Sequence, residues 1–156
     1  MKRVLIISPH FPPINAPDMQ RVRMSLPYYR RQGWEAVVLT VDERWQEGAR
    51  EPELLATLPA DVRVVRVRAV PARWTRRIGI SILALRAWPF LFWRGAQLLR
   101  WERFDLVFFS TTQFLSYPLG PLWKRWLGVP YVLDVQDPWR SDVYERPGAP
   151  PPPGTC

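Results

Sequence analysis

Short apolar segments that recur along the chain are the feature that most restricts its fold. Five of them are rich in β-branched or aromatic residues and are bounded by turn-forming residues: 4–8, 36–41, 62–67, 106–110 and 131–135. After the first, Met19, Val22 and Leu26 follow at helical spacing, and Gly33 stands where a helix would end. Strands that alternate with helices in this way predict an α/β fold, a Rossmann-like parallel sheet with helices on both faces.

The predicted domain occupies residues 1–145. With 156 residues and 47% hydrophobic side chains, the chain is large enough to bury one core. The last segment, 146–156, contains five prolines among its eleven residues, which predicts a proline-rich linker or a disordered tail. Because the domain stops just beyond its fifth strand, we expect it to be an incomplete Rossmann-like unit.

The charge balance and the single cysteine limit the cellular setting. The 22 Lys and Arg residues exceed the 14 Asp and Glu residues, and a net charge of +8 favours anionic partners. Cys156 is the only cysteine, so no internal disulfide can form, and this fits a reducing compartment. The apolar run before Ser8 is shorter than the roughly 7 to 15 residues of a signal peptide. Segment 78–93 falls short of the roughly 20 residues of a membrane span. We therefore predict a cytoplasmic protein.

Several well-known nucleotide and metal motifs do not occur. The first strand is not followed by G-x-G-x-x-G, and neither G-x-x-x-x-G-K-[ST] nor H-E-x-x-H is present. Nicotinamide enzymes, P-loop enzymes and zinc enzymes are therefore disfavoured, and we expect no cofactor and no metal.

Polar residues follow three of the predicted strands at the edge where open α/β sheets bind ligands. His10 is the only histidine and lies in the turn after the first strand. It could accept a hydrogen bond or a proton, or have only a structural role. Thr111, Thr112 and Gln113 end the fourth strand and could hold a sugar or a phosphate, with helix capping by a threonine as the alternative. Asp137 follows the fifth strand and could orient or deprotonate a hydroxyl, or stabilise the turn before a proline.

Four stretches in the right order resemble one enzyme family. They are "VLIISPHFPP", "QRVRMSLPYYRRQGWEAVVLT", "DLVFFSTTQF" and "VPYVLDVQDPW", and together they cover roughly residues 2–145. They resemble the N-terminal domain of the GT-B glycosyltransferases of family 4. The resemblance implies the acceptor-side half of a hexosyltransferase-type enzyme that moves a sugar from a nucleotide-sugar donor to a hydroxyl acceptor, without a metal.

The resemblance also implies roles for individual residues. It assigns Asn15, Ala16 and Pro17 to the loop near the donor diphosphate, where Pro17 removes one amide donor. It assigns His10, Thr111, Thr112 and Gln113 to acceptor binding. Asp137 would position the acceptor first and act as a base second. Since the donor binds mainly to a second domain, we expect residues 1–156 alone to have no transfer activity.

Arginine and tryptophan are concentrated in residues 73–103, which contain seven arginines, four tryptophans and one acidic residue. Such a segment suits the headgroup region of an anionic membrane, and the alternative is a packed helix pair with solvated arginines. The membrane-surface candidates are Arg76, Arg77, Trp88, Trp93 and Arg94. Lipid-linked or cell-envelope glycan acceptors of the resembled family fit a peripheral position on the inner face of the plasma membrane.

An alternative function from another class stays open. The basic charge is also compatible with a non-catalytic Rossmann-like module that binds a polyanion such as RNA or a phosphorylated glycan. Binding that collapses with salt and ignores nucleotide sugars would favour this alternative.

Overall fold

A five-stranded parallel sheet forms the centre of the computed structural model, which describes residues 1–75 and 82–136. The strands of the chain are β1 (Lys2–Ile7), β2 (Ile14–Asn15), β3 (Trp34–Val41), β4 (Ala49–Arg50), β5 (Arg63–Val67), β6 (Leu106–Thr111) and β7 (Tyr131–Val135). The main sheet has the order β5-β3-β1-β6-β7, and β2 pairs with β4 in a separate antiparallel ladder. The five main strands are those that the apolar segments predict.

Helices cover both faces of the sheet. They are α1 (Met19–Tyr29), α2 (Ala72–Thr75), α3 (Leu83–Trp101) and α4 (Leu119–Leu127). Helix α1 packs on one face, and α3 and α4 pack on the other. The predicted Rossmann-like α/β fold is therefore confirmed.

The core consists of two apolar layers separated by the sheet. Successive residues of a strand point to opposite faces, so Val4 and Ile6 pack toward α1, while Leu5 and Ile7 pack toward α3 and α4. All four side chains are buried. Burial on both faces explains why the central strands read as unbroken apolar runs rather than as an alternation.

The connection between β3 and β5 contains no α-helix. It includes a short 3₁₀ helix over Pro52–Thr57. The ladder between β2 and β4 was not predicted, and it fastens the first turn of the chain to this connection. No helix in the described part of the chain is long and apolar enough to cross a membrane.

The order of the strands determines where a ligand can bind. The chain leaves β1 toward its neighbour β3 and later returns to β6 on the other side of β1. The connections beside β1 and β6 therefore diverge and open a crevice at the carboxyl ends of these strands, which is the usual ligand site of open α/β sheets.

Candidate functional site

The buried carboxylate of Asp18 is the centre of a polar cluster in this crevice. Only 3% of the residue is exposed. One oxygen, Oδ1, lies 3.0 Å from His10 Nδ1, and the other, Oδ2, accepts a hydrogen bond of 2.8 Å from the Thr111 hydroxyl. Asp18 precedes α1 but makes no capping hydrogen bond to that helix. Its side chain thus connects the turn after β1 to the end of β6.

Asp18 is ionised in this environment. Burial acts to raise the pKa of its carboxyl group, but the hydrogen bond and charge of His10 and the hydrogen bonds from Thr111 and the Thr112 backbone outweigh it. The net result is a pKa below the ordinary value of an aspartate. A carboxylate can only accept, so the His10 ring must donate from Nδ1.

The orientation of His10 leaves its second ring nitrogen available. Ser8 begins the turn after β1, and its hydroxyl donates to the His10 carbonyl at 2.8 Å. The His10 side chain is 15% exposed, and its Nε2 atom has no hydrogen-bond partner within residues 1–75 and 82–136. When the ring is neutral and Nδ1 donates to Asp18, Nε2 is a hydrogen-bond acceptor, which is the arrangement of a general base with its orienting carboxylate.

A second layer of polar residues supports Asp18 from β6 and β7. The Ser110 hydroxyl donates to Asp134 at 2.7 Å, and Arg21 of α1 forms an ion pair with the same carboxylate. The side-chain amide of Gln136 donates to the Asp18 carbonyl at 3.1 Å and to the Ser110 hydroxyl at 3.0 Å. The cluster therefore combines residues from four parts of the fold: the turn after β1, helix α1, the end of β6 and the end of β7.

Tyr117 holds the carboxyl ends of β6 and β7 together. Its hydroxyl lies 2.8 Å from the Thr111 carbonyl and 2.9 Å from the Asp134 carbonyl. Burial, followed by the negative charges of Asp134 and Asp18, raises the pKa of the phenol. Tyr117 therefore stays protonated and able to donate at neutral pH.

The predicted acceptor residues of β6 have distinct positions. Thr111 is fully buried, and its hydroxyl donates to the Asp18 carboxylate and accepts from the backbone amide of Gln113. The side-chain carbonyl of Gln113 accepts from the Ala84 amide at 3.2 Å, so Gln113 caps α3. Thr112 is half-buried and lies beside Asp18. Thr111 and Gln113 thus have supporting roles in the fold, and acceptor binding by this group stays a prediction.

The predicted diphosphate loop is also part of the fold. The Asn15 amide donates to Glu51 at 2.9 Å and accepts from Gln20 at 2.8 Å. Ala16 is buried and Pro17 is exposed. The Asn15 side chain is therefore engaged within the domain, and contact of this loop with a diphosphate stays a prediction.

The remaining candidates lie partly outside the described residues. Asp137, Arg76 and Arg77 belong to that group, so their roles stay predictions. Trp93 and Arg94 are exposed on α3, whereas Trp88 is half-buried and its ring stacks on Phe92 at 5.4 Å.

Sequence reasoning missed Asp18, Asp134 and Gln136. Asp134 lies within the fifth strand, and Asp18 lies where a helix-capping residue is expected. The available signal was an acidic residue in the same turn as the only histidine. A pairing of two side chains across a turn cannot be read from residue spacing alone.

A parallel sheet with helices on both faces and a polar cluster at its switch point defines a Rossmann-like α/β domain. The sequence model of the glycosyl transferase 4-like domain family matches residues 20–154, and the chain belongs to this family. No curated protein sequence is significantly similar to the chain.

Solved structures share the fold at low sequence identity. Phytolacca americana UGT2, complexed with UDP-2fluoro-glucose and pterostilbene, is 14% identical with a TM-score of 0.59, over 85% of this chain and 30% of that one. A ugt transferase from Siraitia grosvenorii in complex with UDP is 15% identical with a TM-score of 0.51, over 85% and 27%. The C-terminal domain of PF1911 hydrogenase from Pyrococcus furiosus is 18% identical with a TM-score of 0.53, over 85% and 91%. These likenesses concern the fold, and the chain spans less than a third of the two plant enzymes.

Proposed function

We propose that this glycosyltransferase domain binds the hydroxyl acceptor and that its partner in the reaction is a nucleotide-sugar donor. The observation that carries the proposal is the hydrogen-bonded pair of His10 and Asp18 at the switch point of the sheet. The structures of the two plant enzymes contain UDP-2fluoro-glucose and UDP, which supports a nucleotide sugar as the donor.

The pair would activate the acceptor hydroxyl. As the acceptor oxygen forms a bond to the anomeric carbon of the donor sugar, its proton passes to His10 Nε2. The bond from the anomeric carbon to the donor phosphate oxygen breaks, and its electron pair leaves with the diphosphate. Asp18 holds the ring in the required tautomer and stabilises the imidazolium that forms, and a positioned base of this kind contributes about 10²- to 10⁴-fold.

We retain the predicted role of Asp137 in this proposal. It follows Gln136 in the sequence, and the side-chain amide of Gln136 donates to the Asp18 carbonyl. We propose that Asp137 orients the acceptor while His10 takes the proton. The donor would bind mainly to a separate domain, so residues 1–156 alone would bind an acceptor without transferring sugar.

The proposal is tested by NMR on the ¹⁵N-labelled 156-residue chain, titrated with simple glycosides, nucleotide sugars and RNA. We expect glycosides to shift the amide signals of His10, Asp18 and Thr112. His10→Gln and Asp18→Asn should weaken these shifts several-fold, and the exposed control Arg31→Gln should leave them unchanged.

Two results would contradict the proposal. One is an absence of shifts near Asp18 with every glycoside. The other is a response to RNA alone that disappears with added salt, because this would favour a polyanion-binding module. Sugar transfer by the 156-residue chain would contradict the expected need for a separate donor domain.

A further inference from the structure

We infer that the outer surface of α3 and α4 docks on an anionic lipid membrane. We call this surface the aromatic–basic face, and it consists of Leu85, Phe90, Trp93, Arg94, Lys124, Arg125 and Trp126. It lies on helices that cover one face of the sheet, away from the His10–Asp18 pair at the strand ends, and the inference does not depend on the proposed sugar transfer.

Two tryptophans from separate helices contact the same phenylalanine ring on this face. Phe92 is buried, and its ring lies 5.3 Å from that of Trp93 and 5.5 Å from that of Trp126. The two indoles lie beside the Phe92 ring, and Trp93 remains 66% exposed and Trp126 62% exposed. Large apolar rings held in fixed positions at a surface are typical of interaction sites rather than of solvated helix faces.

Exposed aliphatic and aromatic side chains extend the apolar part of the face along α3. Ile82, Leu85 and Phe90 all rank among the exposed large hydrophobic residues. Leu85, Pro89 and Trp93 follow one another at intervals of four and therefore lie in one row of the helix. The apolar surface therefore runs from the start of α3 to Trp126.

The two helices that carry this apolar surface also carry cations and no carboxylate. No acidic residue occurs in residues 82–101 or 106–133. Arg94 donates to the neutral amide of Gln97, and Arg100 lies over the ring of Trp101. Ion pairs of the described residues lie elsewhere, for example between Arg3 and Glu102.

This combination fits a lipid headgroup layer better than other partners. Indoles and aliphatic side chains enter the boundary between headgroups and acyl chains, while cations bind the lipid phosphates. A nucleic acid would offer Leu85 and Phe90 no apolar environment. A second copy of the chain would bring two basic surfaces together, which their like charges oppose.

Co-sedimentation of the full chain with phosphatidylcholine vesicles, prepared with and without phosphatidylglycerol, tests the inference. We expect binding to the anionic vesicles only, and we expect added salt to weaken it. Trp93→Ser with Trp126→Ser removes the rings, and Arg94→Gln with Lys124→Gln and Arg125→Gln removes the charges. The charge variant should lower the binding constant for anionic vesicles at least tenfold, since one cation contributes about fivefold. The tryptophan variant should also lower it at least tenfold, because the apolar rings no longer enter the headgroup layer.

A matched control carries the same kind of changes on the opposite face. Tyr28→Ser with Arg31→Gln alters an exposed ring and an exposed arginine of the α1 side and should bind like the unchanged chain. Circular dichroism and the unfolding midpoint of each variant establish that it remains folded, and Trp93→Ser alone serves if the double variant unfolds.

Three outcomes would overturn the inference: no binding to anionic vesicles at low salt, equal loss of binding in the control variant, or a dimer by light scattering that Trp93→Ser with Trp126→Ser dissociates. In the first of these outcomes, RNA binding that depends on the same tryptophans would identify a nucleic acid as the partner instead.

Discussion

The Nδ1 atom of His10 lies 3.0 Å from the Oδ1 atom of Asp18, and both residues lie in the connection between β1 and α1. Thr111 binds the other Asp18 oxygen from the neighbouring strand β6. The pair thus depends on both the local turn and the packing of β1 against β6. Asp18 has two roles as a result, since it orients the candidate base and holds the crevice together.

Replacing Asp18 by alanine should destabilise the domain by about 2–4 kcal/mol, because the His10 ring and the Thr111 hydroxyl lose a charged acceptor in a buried place. Urea unfolding of the variant and of the unchanged chain measures the difference. Thr112→Ala is the matched control, since this half-exposed neighbour should change stability by less than about 1 kcal/mol. Equal stability of Asp18→Ala and the unchanged chain would contradict the assigned role.

The same carboxylate predicts a dependence of stability on acid. The pKa of Asp18 is lower in the folded chain than the ordinary value of 3.8, so the unfolded chain binds its proton first as the pH falls. The stabilisation by Asp18 is therefore complete above that ordinary value and is lost as the pH drops through the folded value. Unfolding free energies measured from neutral pH to about pH 2 should fall more steeply below the ordinary value for the unchanged chain than for Asp18→Asn. Parallel curves would contradict this prediction.

Most of the fold could be predicted because its signals are local. β-branched runs, helical spacing and glycines at helix ends each act within a few residues, and they gave the five main strands and the end at Gly33. The β2–β4 ladder could not be predicted in this way. Its two-residue strands carry no pattern, and the pairing of Asn15 with Ala49 arises only when two distant loops meet.

Much less of the candidate site could be predicted, for a related reason. The strand ends indicated His10 and Thr111 as polar residues of one edge, which the sheet order brings together. The hydrogen-bond partner of each side chain depended on tertiary contacts. Gln113 caps α3 and Thr111 binds Asp18, and neither contact follows from the spacing of the residues.

Two glycines test the helix-end prediction directly. Gly33 and Gly128 have φ angles of 79° and 74°, and a Cβ atom at either position would meet no neighbour within 4 Å. Alanine at either position should therefore lower the free energy of unfolding by only the strain of the left-handed conformation, about 1–2 kcal/mol. Asparagine, which tolerates this conformation better, should cost less than alanine in the same urea unfolding measurement. Equal effects of the two substitutions would argue against backbone strain as the cause.

Gly95 and Trp123 set the distance between α3 and α4. A Cβ atom at Gly95 would lie 2.3 Å from the Trp123 ring, which is fully buried and stacks on Phe109. Gly95→Ala should therefore destabilise the domain by about 1–3 kcal/mol through overpacking, although alanine is the better helix former.

The indole atoms nearest to that Cβ are Cζ2, Cη2 and Cε2 of the larger ring system, and phenylalanine lacks this extension. Trp123→Phe alone should leave a cavity and lower stability, but it also makes room for a methyl group at Gly95. The double variant should be more stable than the sum of the single changes predicts, by at least about 0.5 kcal/mol in a double-mutant cycle. Strictly additive effects on the free energy of unfolding would mean that the two helices separate to accept the methyl group, and that Trp123 does not fix their spacing.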